Sequence, residues 1–135
     1  MKKNILFLAI ALVALVGCRQ SEDEKAAPAM RYIDSLYQAK NYPATLQAIQ
    51  ELRRDHPKAI ESRKRALKIW QEASLKMTQE DIARTDSALQ AVTKEWKQAK
   101  DIRTKNQLGV KRDSLQIRYD ALCGTVRVIH KRQQE

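Results

Sequence analysis

Residues 112–135 read RDSLQIRYDALCGTVRVIHKRQQE, and within them Leu115, Tyr119, Leu122, Val126 and Ile129 advance by 4, 3, 4 and 3 positions. That rhythm is a heptad seam, one apolar stripe on an α-helix that must be covered by another helix. Moving outward, residues 58–105 contain no proline and no glycine. There Ile82, Thr85, Leu89, Val92, Trp96 and Ala99 also step by three and four, which supplies the partner stripe. Asn106 and Gly109 mark a polar connection, so residues 78–103 and 111–133 are expected to fold as an antiparallel helical hairpin. The register shifts near Thr78. Thr78 with Asp81 offers a cap for a fresh start, and an unbroken helix fits the same residues equally well. Gly124 lies inside the last helix at a cost of roughly 1 kcal/mol against alanine, which a close helix approach would explain.

Upstream of the hairpin, helical spacing begins at Met30, with Ala29, Tyr32, Ile33 and Leu36 on one face and a stop near Asn41. Pro43 suits a first helical turn, where its missing N–H is not needed. Thr45, Ile49 and Leu52, flanked by Leu46 and Ala48, line a second helix that ends before Pro57. Residues 26–59 resemble one tetratricopeptide repeat: Thr45, Ile49, Leu52 and Pro57 take the second-helix positions, with Leu36 and Ile33 departing from the pattern in the first helix. One repeat cannot bury its own faces. Ile60, Leu67 and Trp70, with Ala66 and Ala73, are therefore expected to cover the pair formed by residues 30–57, ahead of the hairpin within residues 58–135. The expected fold is all-α.

The chain opens with Lys2 and Lys3, then runs through 12 apolar residues from Ile5 to Val16 to Gly17 and Cys18. A helix of that length reaches only ~18 Å, short of the ~30 Å of a bilayer core, so residues 1–17 read as a signal segment. Leu15-Val16-Gly17-Cys18 resembles the lipobox of bacterial lipoproteins. The resemblance implies that Cys18 is acylated, that the membrane is reached through this lipid, and that the rest lies outside the cytoplasm. Residues 18–29 lack apolar periodicity and read as a flexible tether. The acidic run Glu22-Asp23-Glu24 resembles the export signal of lipoproteins in Bacteroidetes, which points to the outer membrane and to its outer surface. The C-terminal run, with the order of signal, repeat, long helix and hairpin, resembles small helical lipoproteins of Bacteroidetes that lack an assigned activity.

Without Lys2 and Lys3, 24 basic side chains stand against 16 acidic ones. Arg53, Arg54, Arg63, Lys64 and Arg65 concentrate the excess and are the candidate contacts for an anionic partner. Lys58 and Lys68 lie among them, and Arg127, Lys131 and Arg132 form a second group. Export removes nucleic acid as the counterpart and leaves envelope lipids and acidic glycans. Catalysis has little to work with. His56 sits at a helix C-terminus, where the dipole favours a basic group, and His130 lies among Lys131 and Arg132 with no nucleophile spaced for it. Cys123 and His130 are ~10 Å apart along one helix, too far for a shared zinc, so no metal and no cofactor are expected. Cys123 reads as a small hydrophobe beside the seam, or as one half of a disulfide between two copies. Ser35, Ser87 and Ser114 each follow an aspartate and precede an apolar residue, resembling the O-glycosylation acceptor of exported Bacteroidetes proteins. The expectation is a non-catalytic interaction or scaffold protein that binds another envelope protein or itself. Tyr42, Trp70 and Trp96 serve either as contact aromatics or as core.

Overall fold

The structure, a computed structural model, describes residues 20–135. It is all-α, with four helices and no strand among the described residues: α1 (Glu22–Gln38), α2 (Tyr42–Asp55), α3 (Ile60–Gln98) and α4 (Ile102–Gln133). The signal segment and Cys18 lie outside the described residues.

Helix α1 corrects the reading of residues 18–29 as a flexible tether. It starts at Glu22 because Ser21 and Glu24 form a capping box: the Ser21 hydroxyl accepts from Glu24 N at 3.1 Å, and Glu24 Oε2 accepts from Ser21 N at 2.9 Å. Pro28 sits on the exposed side, while Ala26, Met30 and Ile33 are buried. Burying these side chains outweighs the backbone hydrogen bond that proline forgoes. Tyr32, placed on the apolar face by sequence, is exposed instead.

The α1–α2 turn closes on Lys40, whose φ of 57° is left-handed. Lys40 N donates to Tyr37 O and Asn41 N to Leu36 O, the paired bonds of a Schellman ending, here without the usual glycine. Asn41 Oδ1 caps α2 through Ala44 N, and Thr45 Oγ1 donates to Asn41 O, which satisfies a buried hydroxyl. Helix α2 ends at His56, whose N–H donates to Leu52 O.

Helix α3 is 39 residues long and spans ~58 Å. It runs unbroken through Thr78, whose hydroxyl donates to Ser74 O instead of capping a new start. Its own N-cap residue, Ala59, offers no side-chain bond. The cap comes from α1: Asp23 Oδ1 accepts from Ser62 N at 2.7 Å. Ile33, Ala48, Ile49, Leu52 and Ala66 form one core cluster, with Ile69 and Trp70 packed against it. Ile60 and Leu67 do not cover the helix pair as expected; Ala66, Ile69 and Trp70 turn toward it, and Ile60 and Leu67 face solvent.

The connection expected at Asn106–Gly109 falls earlier. Only residues 99–101 separate α3 from α4, and Asp101 caps α4 by accepting from Thr104 N at 2.8 Å. Asn106 and Gly109 are helical. A methyl group on Gly109 would sit 3.5 Å from Trp96 Nε1, an ordinary contact. Helix α4 then runs back along α3, with Gln71 Nε2 donating to Arg132 O at the far end. Among the described helices α4 packs on α3 alone. Leu115, Tyr119, Leu122, Val126 and Ile129 are half-buried, and no residue of α4 is fully buried.

Candidate anionic-partner surface

The end of α2 and the start of α3 bring basic and apolar side chains to one surface. Arg53 lies over the Trp70 ring, its guanidinium carbon 5.3 Å from the ring centroid, so the ring holds the cation against the fold. Arg63 donates from Nη1 to Pro57 O at 2.7 Å. A neutral carbonyl fixes this side chain without cancelling its charge. Lys64 pairs with Glu61 at 2.9 Å, and that carboxylate holds the ammonium above its ordinary range. Arg53, Arg63 and Lys64, with Ile60 and Leu67, line an open groove of about 310 Å³. Ile60 is 60% exposed and Leu67 45% exposed, so an apolar floor sits within a cationic rim.

Arg54 and Arg65 stand apart from that groove. Arg54 pairs with its neighbour Asp55 at 2.8 Å, which lowers the carboxyl below its usual range, and lines the outer face of α2. Arg65 reaches back to Asp34 of α1 at 2.7 Å. It also lines a wider notch of about 710 Å³ where the end of α4 meets α3, beside Lys64, Lys68 and Arg132. The structure thus gathers three of the five candidate cations in one groove. Lys64 and Leu67, which line both, link the groove to the notch.

Tyr42 is buried, its ring 6.0 Å from Tyr37. Trp70 and Trp96 are half-buried. Trp96 lies between Lys105 Nζ at 5.2 Å and the Arg112 guanidinium carbon at 4.4 Å from its centroid. Cys123 is half-buried beside Tyr119. That neighbouring thiol, with Asp86 of α3, pushes the Tyr119 hydroxyl above its ordinary value. His56 closes α2, and His130 Nδ1 lies 3.2 Å from Gln133 Oε1 on the exposed side of α4. Ser35, Ser87 and Ser114 are exposed and lie within helices, where the Ser35 and Ser87 hydroxyls donate to Tyr32 O and Ala83 O. Among the described residues no three histidine, cysteine or carboxylate side chains are placed to hold a metal, and no helix is long and apolar enough to cross a membrane.

Two features escaped the sequence reading. The acidic run has work inside the fold: Glu22 pairs with Lys25, Asp23 caps α3 and Glu24 closes the capping box. The spacing Ser21-x-x-Glu24 was the available signal. The outward turn of Ile60 and Leu67 had no local signal, because periodicity alone does not say which of two stripes is covered. Compared with known protein families, curated proteins and solved structures, the chain matches none.

Proposed function

We propose that this chain is a lipid-anchored, non-catalytic interaction protein of the bacterial cell envelope, tethered through Cys18 to the outer membrane. The observation that carries the reading is a convergence at one end of the molecule. Asp23 of α1 is hydrogen-bonded to Ser62 of α3, which sets the first turn of α1 against the start of α3 beside the α2–α3 turn. Helix α1 starts four residues after Cys18, so an acylated Cys18 holds this end within ~15 Å of the lipid. The rest of the molecule is helix surface, suited to contact with other macromolecules. Growth of native cells with labelled palmitate tests the anchor: label enters the natural chain and is absent from Cys18→Ala, which leaves the membrane fraction. Unlabelled natural chain overturns the reading. Crosslinking in intact cells then identifies what the body touches, and protease shaving decides surface exposure.

A second reading, binding of anionic envelope lipids or glycans, is favoured by the groove of Arg53, Arg63 and Lys64 around Ile60 and Leu67. Cations draw the molecule to a negative surface, and the two apolar side chains fit the boundary of a lipid layer. Full chain should associate with vesicles containing anionic lipid more strongly than with neutral ones. The excess should fall at least ~10-fold in a triple Arg53→Gln, Arg63→Gln, Lys64→Gln variant, with high salt giving the same loss. Unchanged binding removes this reading. O-glycosylation at Ser35, Ser87 and Ser114 belongs to the same envelope setting, and an unmodified mass of the native chain discards it.

A further inference from the structure

Helix α4 has two apolar faces, and α3 covers only one. At about 100° per residue, Ile117, Ala121, Gly124 and Val128 line up on the side opposite the Leu115–Tyr119–Leu122 seam. Ile117 is 70% exposed and Val128 53% exposed. Val110 extends the line toward the helix start and is exposed as well.

Gly124 is the second observation. Its position in mid-helix suggested a close approach within the hairpin, and the structure corrects this. The nearest atom to a methyl group placed there is Arg127 Nη2 at 4.0 Å, so nothing in the described chain needs the glycine. It opens outward, beside Ala121, and leaves room for a backbone approaching from outside.

The third observation is charge. One edge of this line carries Asp113 and Asp120 in its first half, then Arg127 and Lys131 in its second. All four are exposed, with Asp113 also accepting from its neighbour Arg112 at 2.7 Å and Asp120 from Gln116 at 3.1 Å. A copy running the same way sets this edge against the partner's opposite edge, where Lys131 meets the partner's Arg132. A copy running the opposite way sets Asp113 beside the partner's Lys131 and Asp120 beside the partner's Arg127. The same register places Ile117 on the partner's Val128 and Ala121 on the partner's Gly124, so the small residues meet at the centre. A face that satisfies itself on reversal is what a two-fold, isologous interface requires.

We propose that a second copy of this chain covers the outer face of α4, antiparallel, about a two-fold axis between Ala121 and Gly124. The proposal rests on reading the chain as an interaction protein and is independent of its anchor. It names the partner as the chain itself and leaves the two N-terminal ends pointing in opposite directions.

Sedimentation of purified full chain in a neutral detergent should give a dimer. Ile117→Glu should raise the dimer Kd by at least ~10-fold by placing a carboxylate on the apolar line. Gly124→Leu should do the same by separating the backbones, while helix content stays intact because a side chain starting there meets only the flexible Arg127, at ordinary contact distance. With Cys18→Ser and Cys123→Ser as background, a chain carrying both Ile117→Cys and Val128→Cys should oxidise to a covalent dimer. Chains with either cysteine alone should remain unbridged. A natural chain that stays monomeric, two variants that associate unchanged, or efficient bridging by Ile117→Cys alone overturns the proposal. A monomer that still crosslinks to other envelope proteins in cells sinks this proposal and leaves the interaction reading standing.

Discussion

The two ends of α3 are stabilised in different ways. Around its first turns, α1 and α2 enclose Ile33, Ile49 and Leu52, each at most 1% exposed, and Thr45 with its hydroxyl satisfied. Along its remainder α4 provides one partner helix, and burial is limited to small or β-branched side chains of α3: Ala73, Thr85 and Val92. Three helices converging at one place close a core, whereas two helices side by side leave both flanks wet. The difference teaches where burial and where contact reside: the first region encloses its large side chains, and the second presents surface.

Substitutions should separate the two regions, beginning with the largest effect. Ile49→Ala removes a fully buried side chain and should cost about 3 kcal/mol in chemical unfolding. Leu122→Ala acts on a half-buried seam position and should cost about 1 kcal/mol, since part of that surface is already wet. Equal losses would mean that the hairpin is packed as tightly as the three-helix region. Lys40→Gly relieves a left-handed lysine and should stabilise the chain by about 1 kcal/mol. Any loss at that position would show that the lysine side chain does work the backbone geometry does not reveal.

The smallest effect is a pH effect. The backbone N–H of Ser62 bonds to the Asp23 carboxylate and lowers its pKa below the ordinary carboxylate value, so folding favours the ionised form. The resulting stability is present above about pH 4 and is lost as the pH falls through the lowered folded value. Asp23→Ala should therefore be less stable than the natural chain near neutrality, and the gap should close as the pH falls below the ordinary aspartate range and through the lowered folded value. A gap that persists in acid would assign the effect to something other than this cap.

The all-α class was legible in the sequence because helix formers dominate and the apolar steps of three and four are long. The seam of α4 was legible for the same reason: Leu115, Tyr119, Leu122, Val126 and Ile129 all lie at half-buried positions. Boundaries were not. Pro28 and the charges around it masked a helix that Ser21 and Glu24 had already capped. Gly109 and Asn106 drew the turn away from Asp101, whose capping bond to Thr104 sets the true start of α4. The candidate cations were legible as a group, but their grouping was not. Arg54 and Arg65 are drawn off by Asp55 and Asp34, and only the fold determines that Ile60 and Leu67 floor the remaining groove.

Native-state hydrogen exchange of the full chain at two widely separated protein concentrations tests the contrast most directly. Amides of α1, α2 and the first turns of α3 should be equally slow at both. Those of α4 between Asp113 and Lys131 should exchange fast when dilute and slow when concentrated, as a second copy closes the outer face. Helix α4 protected at the lowest concentration as strongly as α2, with no response to added protein, would contradict the division of the molecule into an enclosed end and an end completed by contact.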